Sequence, residues 1–341
     1  MRIERPRKMR KDRLVKTRTK TGPAVAAFTP DELDYRLIAE LRLDPQSSNR
    51  QIARSLDVSE VTVAARLSRM REARAMRLLL QKDVRRMSLD YFAFIEIQTS
   101  NRSPEAIAEE MSHIAELSTV AVIAGNPSIF LQANVRDKES LLHVVDDRLA
   151  RIKGVGIMEV SLVLDVYKWT PDLGTLALPI EESLPVAEIW DGADELDRAI
   201  VSLLTLDGHL SNREIARRLD VSEGAVRQRL KKMIDGGYVR LGVVVDPVVF
   251  DRSEMALLKV SAPGPLMAAL RKRMMTTEAC VFVGRTTGKW GLTAAIICKS
   301  RDELQEVIRR NLKLDLGGYV YELTEATRSF KYRYDLVYIE Q

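Results

Sequence analysis

Two stretches of the chain concentrate side chains that can hydrogen-bond to base edges and to phosphates. In the later stretch these are Ser222, Arg227, Gln228, Arg229, Lys231 and Lys232, and in the earlier stretch they are Thr62, Arg66 and Arg69. Arginine, lysine and glutamine read base edges in the major groove, while cations on phosphates fix a protein's register along a duplex. The two stretches therefore predict contact with double-stranded DNA.

Helical spacing puts the later set on the open face of the third helix of a three-helix unit. Ser211 stands three residues before Glu214, a capping box that opens the second helix, and Ser222 can cap the third. The inner face of the third helix is formed by apolar residues: Val226, Leu230 and Met233. A short second helix, a tight turn and a third helix are typical of a DNA-reading helix-turn-helix. The alternative is a three-helix core whose outer charges are only solvated.

The chain carries an internal repeat. A shift of 163 residues brings the sequence Asp-Glu-Leu-Asp at 31–34 onto the same sequence at 194–197, and about half of the positions over 31–70 are identical. Farther on, Gly125 falls on Gly288 and Glu159 on Glu322. We therefore expect the register of the repeat to persist through the whole of each half.

The two copies differ mainly on the outer face of the third helix. The first copy has Ala64 and Ala65 where the second has Arg227 and Gln228. Because these positions would face the major groove, we predict a DNA site with unlike half-sites, and the second copy as the stronger reader.

Composition and patterning divide the chain into six segments. A proline- and glycine-rich stretch separates the halves, and helical patterning gives way to alternation near Asp83 and Asp246. The predicted segments are a basic N-terminal arm (1–29), a first helix-turn-helix domain (30–82), a first α+β domain (83–169), a linker (170–193), a second helix-turn-helix domain (194–245) and a second α+β domain (246–341). Ten cations against two acids over residues 1–20 suit an arm that tracks phosphates, or a solvated tail.

Each α+β domain shows the order βαββαβ. In the first, strands are predicted over 91–98, 120–124, 129–135 and 157–167, with helices around 107–114 and over 138–152. The fold class is therefore α+β, a tandem repeat of a winged-type helix-turn-helix followed by a ferredoxin-like sandwich. Such a sheet leaves one face uncovered, so we expect the domains to pair, within one chain or between chains of a homo-oligomer.

Three runs in the second half resemble one family of regulators. The residues Leu219-Asp220-Val221-Ser222, Arg229-Leu230 and Gly237-Tyr238-Val239 look like those of the Lrp/AsnC family. That family joins a helix-turn-helix to a βαββαβ ligand-sensing domain, and the resemblance covers both halves apart from the arm and linker. The chain is thus similar to a tandem, fused-dimer version of the family.

The resemblance also implies a small-molecule effector. Family members bind an amino acid or similar molecule near a hairpin between paired sensor domains, and the matching residues here are Gly125, Ser128, Gly288 and Trp290. The acidic residue of the family's hairpin is absent from both copies. A buried carboxylate would have paired the ammonium group of an amino acid, so either the ligand differs or the domain is structural. Trp290 can stack on a ligand or pack at a sheet interface.

The leading hypothesis is a sequence-specific transcriptional regulator with no catalytic residue, metal or cofactor. Siroheme decarboxylases resemble the same two-domain plan and form the enzymatic alternative. They would need histidine and arginine facing an anionic tetrapyrrole, whereas this chain has only His113, His143 and His209, all isolated. A third alternative is an architectural DNA binder without sequence preference.

Composition narrows the cellular setting. No apolar run reaches the roughly 18 residues needed to span a bilayer, so no membrane partner is expected. Cys280 and Cys298 are too few for a disulfide scaffold and have no nearby histidine for a zinc site. These features predict a cytoplasmic protein.

Overall fold

The computed structural model describes residues 28–89, 91–170, 173–174, 176, 190, 192–312 and 318–339. Most of the predicted N-terminal arm and of the predicted linker therefore lies outside the described residues. No helix in the described ranges is long and apolar enough to cross a membrane.

The first half opens with three helices, each started by a side-chain cap. They are α1 (Glu32–Leu43), α2 (Asn49–Leu56) and α3 (Glu60–Glu72). Asp31 and Ser48 form capping boxes, and Ser59 accepts a hydrogen bond from the backbone of Thr62. Asp57 turns the chain between α2 and α3 in the left-handed region (φ 55°), which aspartate tolerates better than most residues. These local choices form the predicted helix-turn-helix.

A strand and a βαββαβ unit complete the first half. The elements are β1 (Met76–Asp83), β2 (Tyr91–Thr99), α4 (Pro104–Ser112), β3 (Leu117–Ile123), β4 (Ile129–Val135), α5 (Lys138–Leu142) and β5 (Val155–Trp169). The strand predicted over 129–135 is β4. The helix predicted over 138–152 is not a continuous α-helix. Helix α5 ends at Leu142, and a π-helical segment, His143–Leu149, follows it directly.

The second half follows the same order. Its elements are α6 (Glu195–Leu206), α7 (Asn212–Leu219), α8 (Glu223–Asp235), β6 (Val239–Val245), β7 (Glu254–Ser261), α9 (Gly264–Thr276), β8 (Cys280–Thr286), β9 (Leu292–Cys298), α10 (Arg301–Leu312), β10 (Val320–Tyr332) and β11 (Leu336–Val337). Ser211 and Ser222 cap α7 and α8 as predicted. The predicted capping box of α7 is not completed, because the Glu214 side chain accepts from Arg217 and Arg218 instead. Asp220 repeats the left-handed turn of Asp57.

The two ferredoxin-like sheets close into one barrel. The strand order is β10-β3-β4-β2-β5-β8-β9-β7, so β3 pairs with β10 at one seam and β5 pairs with β8 at the other. Helices α4 and α5 cover the outer face of the first sheet with an aliphatic core, and α9 and α10 do the same for the second. The sheet face that was expected to need a partner is therefore covered by the other half of the same chain.

The strands that follow α3 and α8 pair differently from the prediction. Each was assigned to its own helix-turn-helix domain, but β1 and β6 pair with one another, with Leu79 opposite Gly242. A single strand beside three helices has no backbone partner there, and pairing across the halves supplies one. The helical cores cross over as well: α1–α3 pack on Val243, Val245 and Ile297 of the second half. Likewise α6–α8 pack on residues of the first half, such as Leu80, Val84 and Met87.

Candidate nucleic-acid interface

Helix α8 presents an exposed polar and cationic face. Arg227, Gln228, Lys231 and Lys232 are all exposed. Arg227 lies 3.7 Å from Glu223 and Lys231 lies 2.7 Å from Asp235, each within the same helix. Exposed pairs of this kind contribute about 1 kcal/mol or less. These four side chains can therefore exchange their partners for phosphates or base edges at little cost.

The two candidate hydroxyls at the helix starts are occupied by capping. Ser222 Oγ accepts from the backbone N–H of Ala225 at 3.1 Å. Thr62 Oγ1 lies 2.7 Å from Ser59 Oγ, the cap of α3. Both therefore order the start of a reading helix, where the helix dipole favours an anion such as phosphate.

Two of the three remaining candidates, Arg66 and Arg229, are drawn away from the open face toward carboxylates, which corrects the sequence-based placement, whereas the side chain of Arg69 is 52% exposed. Arg66 donates to Asp31 at 2.6 Å and to Asp34 at 3.0 Å. Arg229 donates to Asp194 at 2.5 Å and to Asp197 at 3.0 Å, and Arg69 donates to Asp34 at 3.0 Å. We call each group of one arginine and two aspartates at the start of the first helix an arginine clamp.

The arginine clamps exist because each contains a buried carboxylate. Asp34 and Asp197 are 0% and 4% exposed, and a buried charge needs a partner. The hydrogen bond from Arg66 holds the pKa of Asp31 below its usual value, and the Asp31 and Asp34 carboxylates raise the pKa of Arg66. Both copies have identical residues at all three clamp positions. This identity between the copies is the feature of the sequence that indicates a structural role for the clamp residues.

Helix α3 presents a different outer face from α8. Val61 is 79% exposed, and Ala65 is exposed as well. Arg66 is withdrawn to Asp31 and Asp34, and Arg69 is drawn to Asp34 and the ring of Phe28, 5.0 Å away. Arg69 and Arg71 are exposed on α3, but at the positions equivalent to Arg227 and Gln228 the helix offers only small, apolar groups. Such groups can contact the methyl group of thymine but donate no hydrogen bond to a base edge.

Two cations that the sequence patterns did not single out lie on the second helices. Arg50 and Arg213 are equivalent in the repeat and exposed in the first turns of α2 and α7. In a helix-turn-helix this helix crosses the sugar-phosphate backbone. The repeated Ser-Asn-Arg at 48–50 and 211–213 was the sign that could have indicated them.

The four candidate effector residues fall at two separate seams of the barrel. The loop with Gly125 and Ser128 joins β10, through a bond from Ala124 N to Glu325 O of 2.8 Å. The loop with Gly288 and Trp290 joins β5, where Thr287 N donates to Leu162 O at 2.9 Å. The structure therefore places the candidates between the paired domains, but as two sites.

At both loops the polar candidates are already engaged. Ser128 is buried, with its Oγ 2.9 Å from Thr99 Oγ1. Trp290 is also buried, and its ring lies under the ammonium groups of Lys289 and Lys259, at 4.4 and 5.7 Å from the ring centroid. Trp290 thus packs at the interface, the second of the two roles predicted for it.

A buried charge pair joins the halves inside the barrel. Lys259 of β7 donates to Glu96 of β2 at 2.7 Å and also pairs with Glu322 of β10. Burial disfavours the charged ammonium, but Glu322 and Glu96 outweigh it and raise the pKa of Lys259. Lys259 is the repeat equivalent of Glu96, so equivalent positions of the two halves carry opposite charges.

No metal-binding group was found within the described ranges: no three histidine, cysteine or acidic side chains are placed to hold an ion. The chain's three histidines are all exposed. Cys280 and Cys298 are buried, and burial raises the pKa of their thiols to about 12 and about 11. Neither cysteine is therefore a ready nucleophile.

Three family models match this chain. An AsnC-type helix-turn-helix domain matches residues 31–71, an Lrp/AsnC ligand binding domain matches 92–173, and a winged helix-turn-helix DNA-binding model matches 194–240.

The similar curated proteins are regulators about half as long as this chain. An uncharacterized HTH-type transcriptional regulator of Pyrococcus abyssi is 29% identical over 140 residues, which are 41% of this chain and 89% of that protein. The HTH-type transcriptional regulator FL11 of the same organism is 27% identical over 116 residues, 34% of this chain and 77% of that protein.

One solved structure matches both halves. The siroheme decarboxylase NirDL superposes with a TM-score of 0.60 at 17% identity, covering 87% of this chain and 92% of that chain. At this identity the likeness concerns the fold.

Proposed function

We propose that this chain, which belongs to the Lrp/AsnC family, is a sequence-specific DNA-binding transcriptional regulator whose two halves act as the two subunits of a dimer. The observation that carries the proposal is the open face of α8, where four exposed side chains can reach bases and phosphates. The relatives named above are HTH-type transcriptional regulators, in keeping with this role.

The contacts between the halves support the comparison with a dimer. Strand β1 meets β6 with the equivalent residues Leu79 and Gly242 opposite one another, as at a two-fold axis. The parallel bridge of Leu173 with Val245 repeats that of Leu336 with Lys82. Since residue pairs recur with exchanged halves, the tandem repeat forms an isologous interface inside one chain.

Two reading helices held in this way would contact one duplex at two half-sites. Helix-turn-helix dimers place their half-sites about 34–36 Å apart, or a multiple of that distance. Here α8 supplies Arg227 and Gln228, which suit guanine and adenine, whereas α3 supplies Val61 and Ala65, which suit thymine methyl groups. We therefore propose one duplex site with two unlike halves.

An enzymatic role is less well supported than DNA binding. The fold shared with NirDL is the observation in favour of a decarboxylase. A large anionic tetrapyrrole needs cations around it, and the described residues that line the cavity inside the barrel include no arginine, lysine or histidine. Arg227, Lys231 and Lys232 of α8 are instead exposed, as DNA binding requires.

Selection of bound duplexes from a random pool at low ionic strength tests the proposal. We expect a selected duplex to bind about 1,000-fold or more tightly than a scrambled duplex of equal length. An Arg227→Ala/Gln228→Ala chain should lose most of that preference, while Lys138→Ala, which removes one exposed charge from α5, should keep it. Equal affinity for all duplexes would indicate an architectural binder. No binding, together with a Soret absorption band in the purified protein, would favour the enzyme.

A further inference from the structure

The barrel encloses a cavity of about 90 Å³. All eight strands of the barrel contribute to its walls, so both halves are needed to form it. Aromatic rings form much of the lining: Phe94, Phe130, Trp169, Phe282 and Tyr332. The cavity lies inside the barrel and is distinct from the two hairpin loops at the seams, where the family resemblance placed an effector.

The two halves line the cavity with different side chains because the repeat has diverged inside the barrel. Phe130 of the first half corresponds to Thr293 of the second, and Gln132 corresponds to Ala295. Ala295 and Ala326 stand in the wall where the first half has Gln132 and Val163, so these two positions of the second half contribute little volume. A void lined by apolar groups remains dry and can hold an apolar molecule, since dispersion attraction between that molecule and the walls favours binding.

The chemistry of the walls restricts the occupant. The described lining includes no acidic or basic side chain. Its polar side chains include Gln132, whose amide donates to Asn134 at 3.0 Å and whose Oε1 lies 3.4 Å from Thr119 Oγ1. A zwitterionic amino acid would bury two charges without a partner, which is strongly unfavourable. A neutral, mainly apolar molecule meets no such penalty.

Some residues of the cavity wall also belong to the hydrophobic core beneath the first helix-turn-helix, α1–α3. Leu173 and Ile297 line the cavity and belong to the core beneath α1–α3. Met255 and Val281 line it too and pack against the same core. Because protein interiors are close-packed, a molecule that displaces this wall also displaces the first helix-turn-helix, α1–α3.

We infer that the barrel cavity binds a neutral, apolar small molecule about the size of indole, and that occupancy alters the first helix-turn-helix, α1–α3. The binding step stands without the proposed DNA function, whereas the regulatory step depends on it. The ligand enters a space formed by both halves, so its affinity reports on their pairing as well.

Indole is a suitable probe for the binding step, with zwitterionic leucine as the comparison. Isothermal titration of the full chain without DNA should show saturable indole binding and none for leucine. Ala295→Leu and Ala326→Leu fill the cavity from different strands, and each should weaken indole binding at least tenfold. Lys289→Ala, in the hairpin loop beside Trp290, should bind indole as the wild type does.

Several results would overturn the inference. They are the absence of saturable indole binding, unchanged binding in both filled variants, loss of binding in Lys289→Ala, and leucine binding that Ala295→Leu abolishes. If indole binds but no duplex does, the DNA function fails and the cavity stands. If both bind, footprinting should show that indole changes protection at the first half-site; unchanged protection would refute the regulatory step.

Discussion

The two three-helix units of this chain, α1–α3 and α6–α8, have the same frame and different outer faces. Both have serine caps on their second and third helices, a left-handed aspartate before the third helix and an arginine clamp beneath the first. On the outer face, Ala64 and Ala65 stand opposite Arg227 and Gln228 in the alignment of the copies. The residues that cap and clamp the helices are thus identical in the two copies, whereas the outer face of the third helix differs.

At the centre of the barrel, in contrast, residues that differ between the halves hold the two sheets together. A dimer of identical halves would bring two copies of one residue together across the axis. Here the equivalent positions carry Glu96 and Lys259, which form a buried ion pair. Two first halves would instead place Glu96 against Glu96, and like charges at close range repel one another. Divergence after duplication has therefore made the two halves complementary.

The largest expected effect comes from breaking this complementarity. Lys259→Met leaves Glu96 buried without its cation, and removing one partner of a buried pair costs about 3–5 kcal/mol. The Lys259→Met/Glu96→Met double variant should recover most of the loss, because an apolar pair of similar volume is often neutral. Denaturant unfolding monitored by circular dichroism measures both. Equal stability of the single and double variants would contradict a coupled pair.

A second buried cluster lies where β11 meets β1. Asp335 bonds to Arg333 at 2.8 Å and to Lys82 at 2.9 Å beside β11, whereas the equivalent bridge of the first half has Val245 in place of Lys82. Burial opposes ionisation, but Arg333 and Lys82 outweigh it and hold the pKa of Asp335 well below its usual range. Its stabilisation is therefore present above the unfolded pKa of about 3.8 and lost as pH falls toward the folded pKa.

We expect Asp335→Asn to lower the free energy of unfolding at pH 7 by about 3 kcal/mol, since Lys82 and Arg333 lose their buried partner. The variant should also lose less stability than the wild type on acidification below pH 4. Urea unfolding from pH 7 to pH 2 measures both. Parallel pH profiles of the two proteins would show that another group governs the acid side.

The third-largest expected effect concerns DNA binding by the exposed face of α8. Replacing Arg227 and Gln228 by alanine should weaken binding to the selected duplex by about 1–3 kcal/mol for each base that the side chain no longer reads. Arg229→Ala should instead increase amide exchange in α6 and α8, because its guanidinium belongs to the clamp. Fluorescence anisotropy and hydrogen exchange separate these roles. If Arg229→Ala lost base preference while its amide exchange stayed unchanged, Arg229 would instead be a residue that contacts bases.

The smallest effect concerns the end of the third helix. Arg74 and Gly237 are equivalent, and both lie in the left-handed region, with φ of 52° and 66°. Arginine is strained there while glycine is not. Arg74→Gly should stabilise the chain and Gly237→Ala should destabilise it, each by about 1 kcal/mol, as thermal unfolding would record. Shifts of the same sign would mean that the two turns are not equivalent.

Patterns within a few residues predicted the local structure well. Capping residues and apolar spacing located both helix-turn-helix units, and the alternating run over 129–135 is strand β4. Features that depend on distant residues were not predicted. The pairing of β1 with β6 joins residues far apart in sequence, and neither strand shows its partner in its own pattern.

The candidate site was predicted in part for the same reason. Arg227 and Gln228 are exposed on α8, as helical spacing indicated. Arg66 and Arg229 were assigned to the open face because charge and spacing alone do not show a buried aspartate on another helix. Only the identity of the clamp residues in both copies indicated otherwise.

The most direct test of whether the two helix-turn-helix units recognise different DNA sequences compares the sequences selected by the wild type and by an Ala64→Arg/Ala65→Gln chain. The account predicts that the wild type selects a site with two unlike halves, and that the variant, whose third helices are more alike, selects a more nearly palindromic one. A palindrome selected by the wild type itself would contradict the account, as would identical selected sites for both chains.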